Sequence, residues 1–359
     1  MVEWRALKVA IGVGSAASGR DRDFERVVAF AVEAERLGVD SAWSAEAWGM
    51  DAVAPLAYLA ARTTTLRLGT GIMQISARTP SMTAMTALTL ATLSRDRFLL
   101  GLGASGPQVV EGLQGQSFAR PVERMRETIE IVRMGLRGEK LAYEGRHHVL
   151  PRPGGEGKAL RLSQAANPDI PIYLATLAPR ALELTGELAD GWLGTSFTPE
   201  HAEAHLAPLA AGAARAGRTL ADLDLCVGGA VGFADDPLPL IQGRKPTLAF
   251  TLGAMGSAKT NFYNAAYHRG GFADVAEEVQ ALWLAGRREE AAARIPDEMV
   301  LQSSLIGTET MVRERIRKYR DVGIDTLRLE PLGDDDTARL DTLGRAVELV
   351  HGDDGAATS

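Results

Sequence analysis

Leu99-Leu100-Gly101-Leu102-Gly103-Ala104-Ser105-Gly106-Pro107-Gln108-Val109-Val110-Glu111-Gly112-Leu113-Gln114-Gly115 is the stretch on which the fold turns. Phe98 to Leu100 is an apolar run of the kind found in a buried strand. The glycines after it let the backbone turn and bring amide donors close to a ligand. Gly101, Gly103 and Gly106 match the dinucleotide fingerprint G-x-G-x-x-G letter for letter. That fingerprint needs a long helix directly after it, because the helix N-terminus holds the pyrophosphate. Here Gly112 and Gly115 interrupt the next segment within three turns, and each would cost about 1 kcal/mol inside a helix. The match reads as misleading, and a nicotinamide dehydrogenase stays only as an alternative.

On both sides of this stretch the chain alternates. Leu7 to Ile11, Ser41 to Ser44, Leu66 to Ile72 and Phe98 to Gly103 read as strands. Phe24 to Leu37, Ala52 to Ala61 and Pro80 to Leu93 read as the helices between them, the last with proline at its first position, where a missing N–H costs nothing. Such alternation argues for a parallel sheet. Beyond the glycine stretch, Pro121 to Leu136 is a helix and Leu141 to Val149 a side hairpin turning at Glu144-Gly145. Ile170 to Ala175 is strand five, Pro179 to Leu188 its helix, Gly191 to Thr195 strand six and Pro199 to Ala216 its helix. Leu223 to Val231 is strand seven. A mostly helical insert, about 235–322, precedes strand eight, Asp325 to Glu330, and the closing helix Thr337 to His351. Eight strands with helices and no composition break imply one α/β domain over 1–351, a (β/α)8 TIM barrel whose longest insertion lies between strands seven and eight. Residues 352–359 read as a flexible tail.

The 359 residues are 46% hydrophobic and 24% charged, with a net charge of −7, which suits a large core and does not suggest a nucleic-acid surface. One cysteine, Cys226, excludes an internal disulfide and fits a reducing cytoplasm. No run is apolar enough to span a membrane, and the first residues lack a signal-peptide core.

Several loops at strand ends carry candidate chemistry. Thr176 to Ala178 open a helix, so their N–H groups and the Thr176 hydroxyl suit a phosphate, with Arg180 adding charge; the plain alternative is a strand-to-helix turn. Glu46, in Ser44-Ala45-Glu46-Ala47-Trp48, is the first carboxylate after strand two, and Trp48 offers a wall; otherwise Glu46 is a solvated loop residue. Gly253 to Thr260 reads G-x-x-x-x-A-K-T, one residue from a phosphate-binding loop, but Ala258 stands where the second glycine is required. His201 and His205 lie four apart without a third ligand, so an exposed helix face is the better reading and no metal site is expected. No G-x-S-x-G elbow supports hydrolysis.

Taken together, the strand-three end Leu68-Gly69-Thr70-Gly71-Ile72-Met73-Gln74, the glycine stretch, the strand-five loop Ala175 to Arg180 and Asn261-Phe262-Tyr263-Asn264 resemble the luciferase-like monooxygenase superfamily, specifically its branch that uses the deazaflavin coenzyme F420. The resemblance runs in order from about Leu7 to Leu349, departing at Leu113-Gln114, where relatives often carry an aromatic residue and a histidine. It implies a non-prolyl cis peptide at Gly71-Ile72 that supports the coenzyme ring. It implies coenzyme contacts from Ser44, Gly71, Ile72, Met73, Gly103, Ser105, Gln108, Ala175, Thr176, Leu177, Ala178 and Arg180. Trp48, Tyr263, Asn264 and His268, with Arg269, fall on the substrate side, and Glu46 is the expected proton donor. F420 carries a hydride at carbon, so the expected reaction is hydride transfer to or from a small organic substrate. The alternatives are a reduced-FMN monooxygenase on the same fold and a relative that only binds flavin. A homodimer is expected.

Overall fold

The computed structural model describes residues 6–13, 23–256 and 260–352; the expected tail beyond Gly352 and residues 257–259 of the G-x-x-x-x-A-K-T run lie outside them. Eight parallel strands close into a barrel. They are β1 (Lys8–Val13), β2 (Ser41–Ser44), β3 (Arg67–Thr70), β4 (Phe98–Gly103), β5 (Ile172–Leu174), β6 (Gly191–Leu193), β7 (Asp224–Val227) and β8 (Thr326–Pro331). β1 closes the ring by pairing with both β2 (Ala10 with Ser41) and β8 (Lys8 with Thr326). Several helix boundaries carry a local signal. α1 (Phe24–Arg36) stops just before Leu37 and Gly38, whose φ of 92° suits only glycine comfortably. α2 (Val53–Ala60) comes after β2, α3 (Pro80–Ser94) after β3, and α4 (Pro121–Leu136), α5 (Pro179–Leu188) and α6 (Glu203–Arg215) come in turn. Thr79 caps α3 by accepting from the Met82 amide, and proline opens α3, α4 and α5.

The barrel interior decides where a site can be. Side chains alternate in and out along each strand, and inward glycines leave room for two rings. A Cβ on Gly69 would lie 2.4 Å from the Trp43 ring, and one on Gly191 would lie 2.2 Å from the Tyr173 ring. Trp43 and Tyr173 meet edge to face at 5.1 Å, packed with Leu99, Leu193 and Cys226. Below them Lys8 pairs with Asp224 at 2.6 Å, and the Tyr173 and Thr326 hydroxyls donate to the same carboxylate at 3.1 and 2.8 Å. The N-terminal end is plugged. Chemistry is left to the loops at the C-terminal end.

Two expectations are corrected. Strand seven does not run to Val231: it breaks at Gly228-Gly229, and Ala230–Phe233 forms a separate strand beside Leu305–Gly307 and the end of β8. Both glycines sit against other backbone, 2.1 Å from the Arg328 carbonyl and 2.4 Å from that of Ser303 for an added Cβ, so the chain leaves the wall where only glycine passes. The strand Leu305–Gly307 closes a stretch that is otherwise mostly helical, as expected. That stretch holds α7 (Leu238–Ala254), α8 (Phe262–Tyr267), α9 (Ala273–Leu284), α10 (Arg288–Ala293) and α11 (Asp297–Ser303), with a core of its own around Leu252, Val279, Met299 and Ile306. α12 (Glu309–Asp321) and α13 (Asp336–Gly352) complete the ring. His205 is the second correction. It is buried between Trp192 and Phe197, not on an exposed face.

Candidate active site

β3 ends at Thr70, whose hydroxyl accepts from the Gly101 amide at 2.9 Å and donates to the Gly101 carbonyl at 2.8 Å. The side chain thus does what a ladder would do, and the strand swings outward. The Gly71–Ile72 bond in the swing is cis, as expected. The Gly71 amide donates to the Ser44 carbonyl at 2.7 Å, and the chain rejoins β4 through Met73–Gln74. Two of the three fingerprint glycines are explained here. A Cβ on Gly101 would lie 1.8 Å from the Thr70 carbonyl oxygen, and one on Gly103 would lie 2.4 Å from the tip of Ile72. They make room for the bulge. After Gly106 the chain makes one six-residue π-helical turn, Gln108–Leu113, too short for the dinucleotide reading.

The bulge, this loop and the β5 loop converge on a cavity of about 530 Å³. Gly71, Ile72, Gly103, Ser105, Gln108, Ala175, Thr176, Leu177 and Ala178 all line it. α5 opens on Ala178 without a side-chain cap, so its positive end faces the cavity with open amides. The Thr176 hydroxyl is not available in the expected way: it shares a hydrogen bond of 2.7 Å with Thr185. Arg180 is exposed and off the wall, because it is the second residue of a helix that packs its other side inward. The cation that reaches this loop is Arg269, expected on the substrate side, which donates to the Leu177 carbonyl at 2.7 Å. Ser44 and Met73 are fully buried behind the wall, the Ser44 hydroxyl without a partner.

Glu46 lines the cavity, and its carboxylate is held by three donors. Arg78 donates to its carboxylate at 2.6 Å, and the Gln74 and Ala52 amides donate at 3.2 Å each. Every bond given to the carboxyl group is one it accepts, which is the company of a carboxylate. The same knot ties the loops together: Gln74 donates through Nε2 to the Glu46 carbonyl at 2.8 Å, and Gln114 donates to Gln74. Gln114 thus latches the glycine loop onto the bulge, and through Gln74 onto the β2 loop.

Trp48 stands on the rim, 58% exposed, and Tyr263 lines the cavity beside Phe262. Their neighbour Asn264 is buried and turned away, donating to the Leu252 and Ala276 carbonyls at 3.1 and 2.7 Å to pin α8 between α7 and α9. His268 is exposed and meets Glu277 at 3.2 Å. Neither belongs to the cavity wall. Phe118, Val122, Met125, Phe250 and Met255 do, and sequence reading missed them. Their hydrophobicity looks like core, and only the closure of the barrel reveals the space beside them. Gly253 lies inside α7 against the Trp283 ring, so it does not open a phosphate-binding loop. Among the described residues no cluster of His, Cys, Asp and Glu could hold a metal ion, and no helix is long and apolar enough to cross a membrane.

Known proteins resemble this chain over most of its length. The luciferase-like monooxygenase family profile matches residues 7–326. A putative coenzyme F420-dependent oxidoreductase of Mycobacterium tuberculosis is 42% identical over 299 residues, 81% of this chain and 86% of that one. The 5,10-methylenetetrahydromethanopterin reductase of Methanolobus tindarius is 26% identical over 90% of this chain and 95% of its own. Among solved structures, the coenzyme F420-dependent tetrahydromethanopterin reductase of Methanopyrus kandleri superposes with a TM-score of 0.76 at 22% identity, over 96% of this chain and 97% of that one.

Proposed function

The chain belongs to the luciferase-like monooxygenase family, and from that membership we propose that it transfers a hydride between C5 of a deazaflavin and a small organic substrate. It is a coenzyme F420-dependent oxidoreductase, and F420 is its coenzyme; the reaction and the placing of its parts are the proposal. When bound, the coenzyme supplies or takes hydride at carbon, so no oxygenation is expected despite the family's name.

One observation carries the reading: the loops after β3, β4 and β5 converge on a single cavity. The cis bulge at Gly71–Ile72 backs the ring. Gly103, Ser105 and Gln108 meet its polar edge and side chain. The open amides of Thr176 to Ala178, at the uncapped start of α5, receive the phosphate. Arg269 reinforces that loop in place of Arg180. Glu46 holds the β2 loop and the bulge in register through Arg78 and Gln74, so the walls are pre-set before a ligand arrives.

Fluorescence titration tests the coenzyme: F420 binds at least about tenfold more tightly than FMN or NADPH, and tighter FMN binding overturns the reading in favour of the monooxygenase. Arg180→Ala leaves F420 affinity unchanged, whereas Arg269→Ala weakens it by about 1–3 kcal/mol.

The proposal extends to a homodimer acting in the cytoplasm. α3 supports the pairing. Its fifteen residues carry no charge, yet Met82, Met85 and Leu93 are 50%, 42% and 53% exposed. An uncharged face on a chain with 24% charged residues suits a second copy of itself. The single buried cysteine supports a reducing compartment.

A further inference from the structure

Apart from the three loops assigned to the coenzyme, the cavity wall is dominated by Trp48, Phe118, Phe250, Met255, Phe262 and Tyr263. Phe118 and Phe262 face each other with ring centroids 6.2 Å apart. Among the described residues the only charged side chain on the wall is Glu46, and Arg78 already answers it at 2.6 Å. A ligand bearing its own charge would lose hydration here, and among the described wall residues no cation stands ready to answer it. A ligand with a broad apolar body would bury it against rings.

Tyr263 is the exception in this apolar wall. Its hydroxyl makes no hydrogen bond within the described chain, and burial pushes its pKa up, so it keeps its proton through the neutral range. Arg328 acts in the opposite sense on the same hydroxyl. On β8, Thr326 turns inward to reach Asp224, and alternation puts Arg328 on the same inner face, one step nearer the open end. Among the described residues Arg328 has neither a hydrogen bond nor an ion pair. A proton donor backed by an uncommitted cation suits an oxygen that gains negative charge.

We infer that the substrate is an uncharged, hydrophobic carbonyl compound, that its oxygen accepts from the Tyr263 hydroxyl, and that Tyr263 supplies the proton with Arg328 steadying the charge left behind. The inference rests on the hydride-transfer reading above. As hydride adds to the carbonyl carbon, the C=O π pair moves to oxygen, and the oxygen takes the Tyr263 proton. The phenolate then faces Arg328 and recovers a proton from water. Oxidation of the matching alcohol runs through the same atoms in reverse. Tyr263 is the catalytic residue and Arg328 a positioning residue.

Matched probes test this by calorimetry, with and without F420: acetophenone, its charged analogue 4-acetylbenzoate, and ethylbenzene, which lacks the oxygen. Acetophenone binds at least about tenfold more tightly than 4-acetylbenzoate. Tyr263→Phe weakens acetophenone by about 5–10-fold and leaves ethylbenzene unchanged. With reduced F420 and a series of neutral aryl and alicyclic ketones, Tyr263→Phe lowers kcat by about 100-fold or more while KM moves far less. Arg328→Lys restores most of the turnover that Arg328→Met removes. Equal binding of the carboxylate probe, an unchanged acetophenone affinity in Tyr263→Phe, or a wild type that reduces none of the ketones overturns the inference. Failure of F420 itself to bind, read in the separate titration, overturns the coenzyme reading instead.

Discussion

At Gly101 one hydrogen atom decides the shape of the wall. Replacing it with a methyl group puts carbon 1.8 Å from the Thr70 carbonyl oxygen, inside a fully buried strand where neither backbone can retreat. Gly101→Ala is expected to lower stability by more than about 3 kcal/mol in urea melts. Gly106 belongs to the same letter pattern, but a Cβ there meets nothing nearer than the Gln108 amide oxygen at 3.8 Å, so Gly106→Ala stays within about 1 kcal/mol. A nucleotide-binding loop would be sensitive at both. Glu46 shows how a residue can be found while the partners that hold it stay hidden. Its position after β2 was legible because loops at that end of a barrel gather around the site. Its partners were not, since Arg78 lies 32 residues away and meets it only once β3 has bulged. Glu46→Gln is expected to lower stability by about 2–3 kcal/mol by leaving the Arg78 guanidinium short of its partner, a loss measurable in the same melts.

Elements were legible where proline marks a start or where an apolar run has clear ends. Ser41–Ser44, Phe98–Gly103, Pro121–Leu136 and Pro179–Leu188 are read to the residue. Direction around a helix was not. Tyr263 and Asn264 are adjacent, yet α8 turns one to the cavity and the other into its neighbours, a choice made by packing against α7 and α9. His205 shows the same on α6, where its partner rings come from β6 and the loop after it. Burial, with Arg269 adding to it, pushes the His205 pKa down to about 4. The folded protein therefore keeps this ring neutral while the unfolded chain protonates it below about 6.5. Stability falls as pH drops from about 6.5 towards 4, by up to about 1.4 kcal/mol per unit from this group, and the contribution levels off below that. Urea melts at pH 7 and 4.5 check it: His205→Leu loses less stability between the two than the native protein does.

Over the whole molecule the barrel was legible because eight apolar runs alternate with helical ones. The side strands at Ala230–Phe233 and Leu305–Gly307 were not, since each is short and rests on a partner more than 70 residues distant. The proposed pairing through α3 concerns the outer surface of the same barrel. The native protein is expected to sediment as a dimer, and Met85→Glu with Leu93→Lys as a monomer that keeps its helix content; a native monomer removes the proposal. The plugged floor of the barrel has a further consequence for traffic. With Trp43, Tyr173 and the Lys8–Asp224 pair filling the lumen, the described residues leave the site no back door. On the proposed assignment, coenzyme and substrate share the mouth at the C-terminal end. That assignment makes the molecule a stack, in which the first ligand in is expected to be the last out. Binding in compulsory order, with product leaving before the spent coenzyme is exchanged, is the outcome expected of that placement, and product-inhibition kinetics check it.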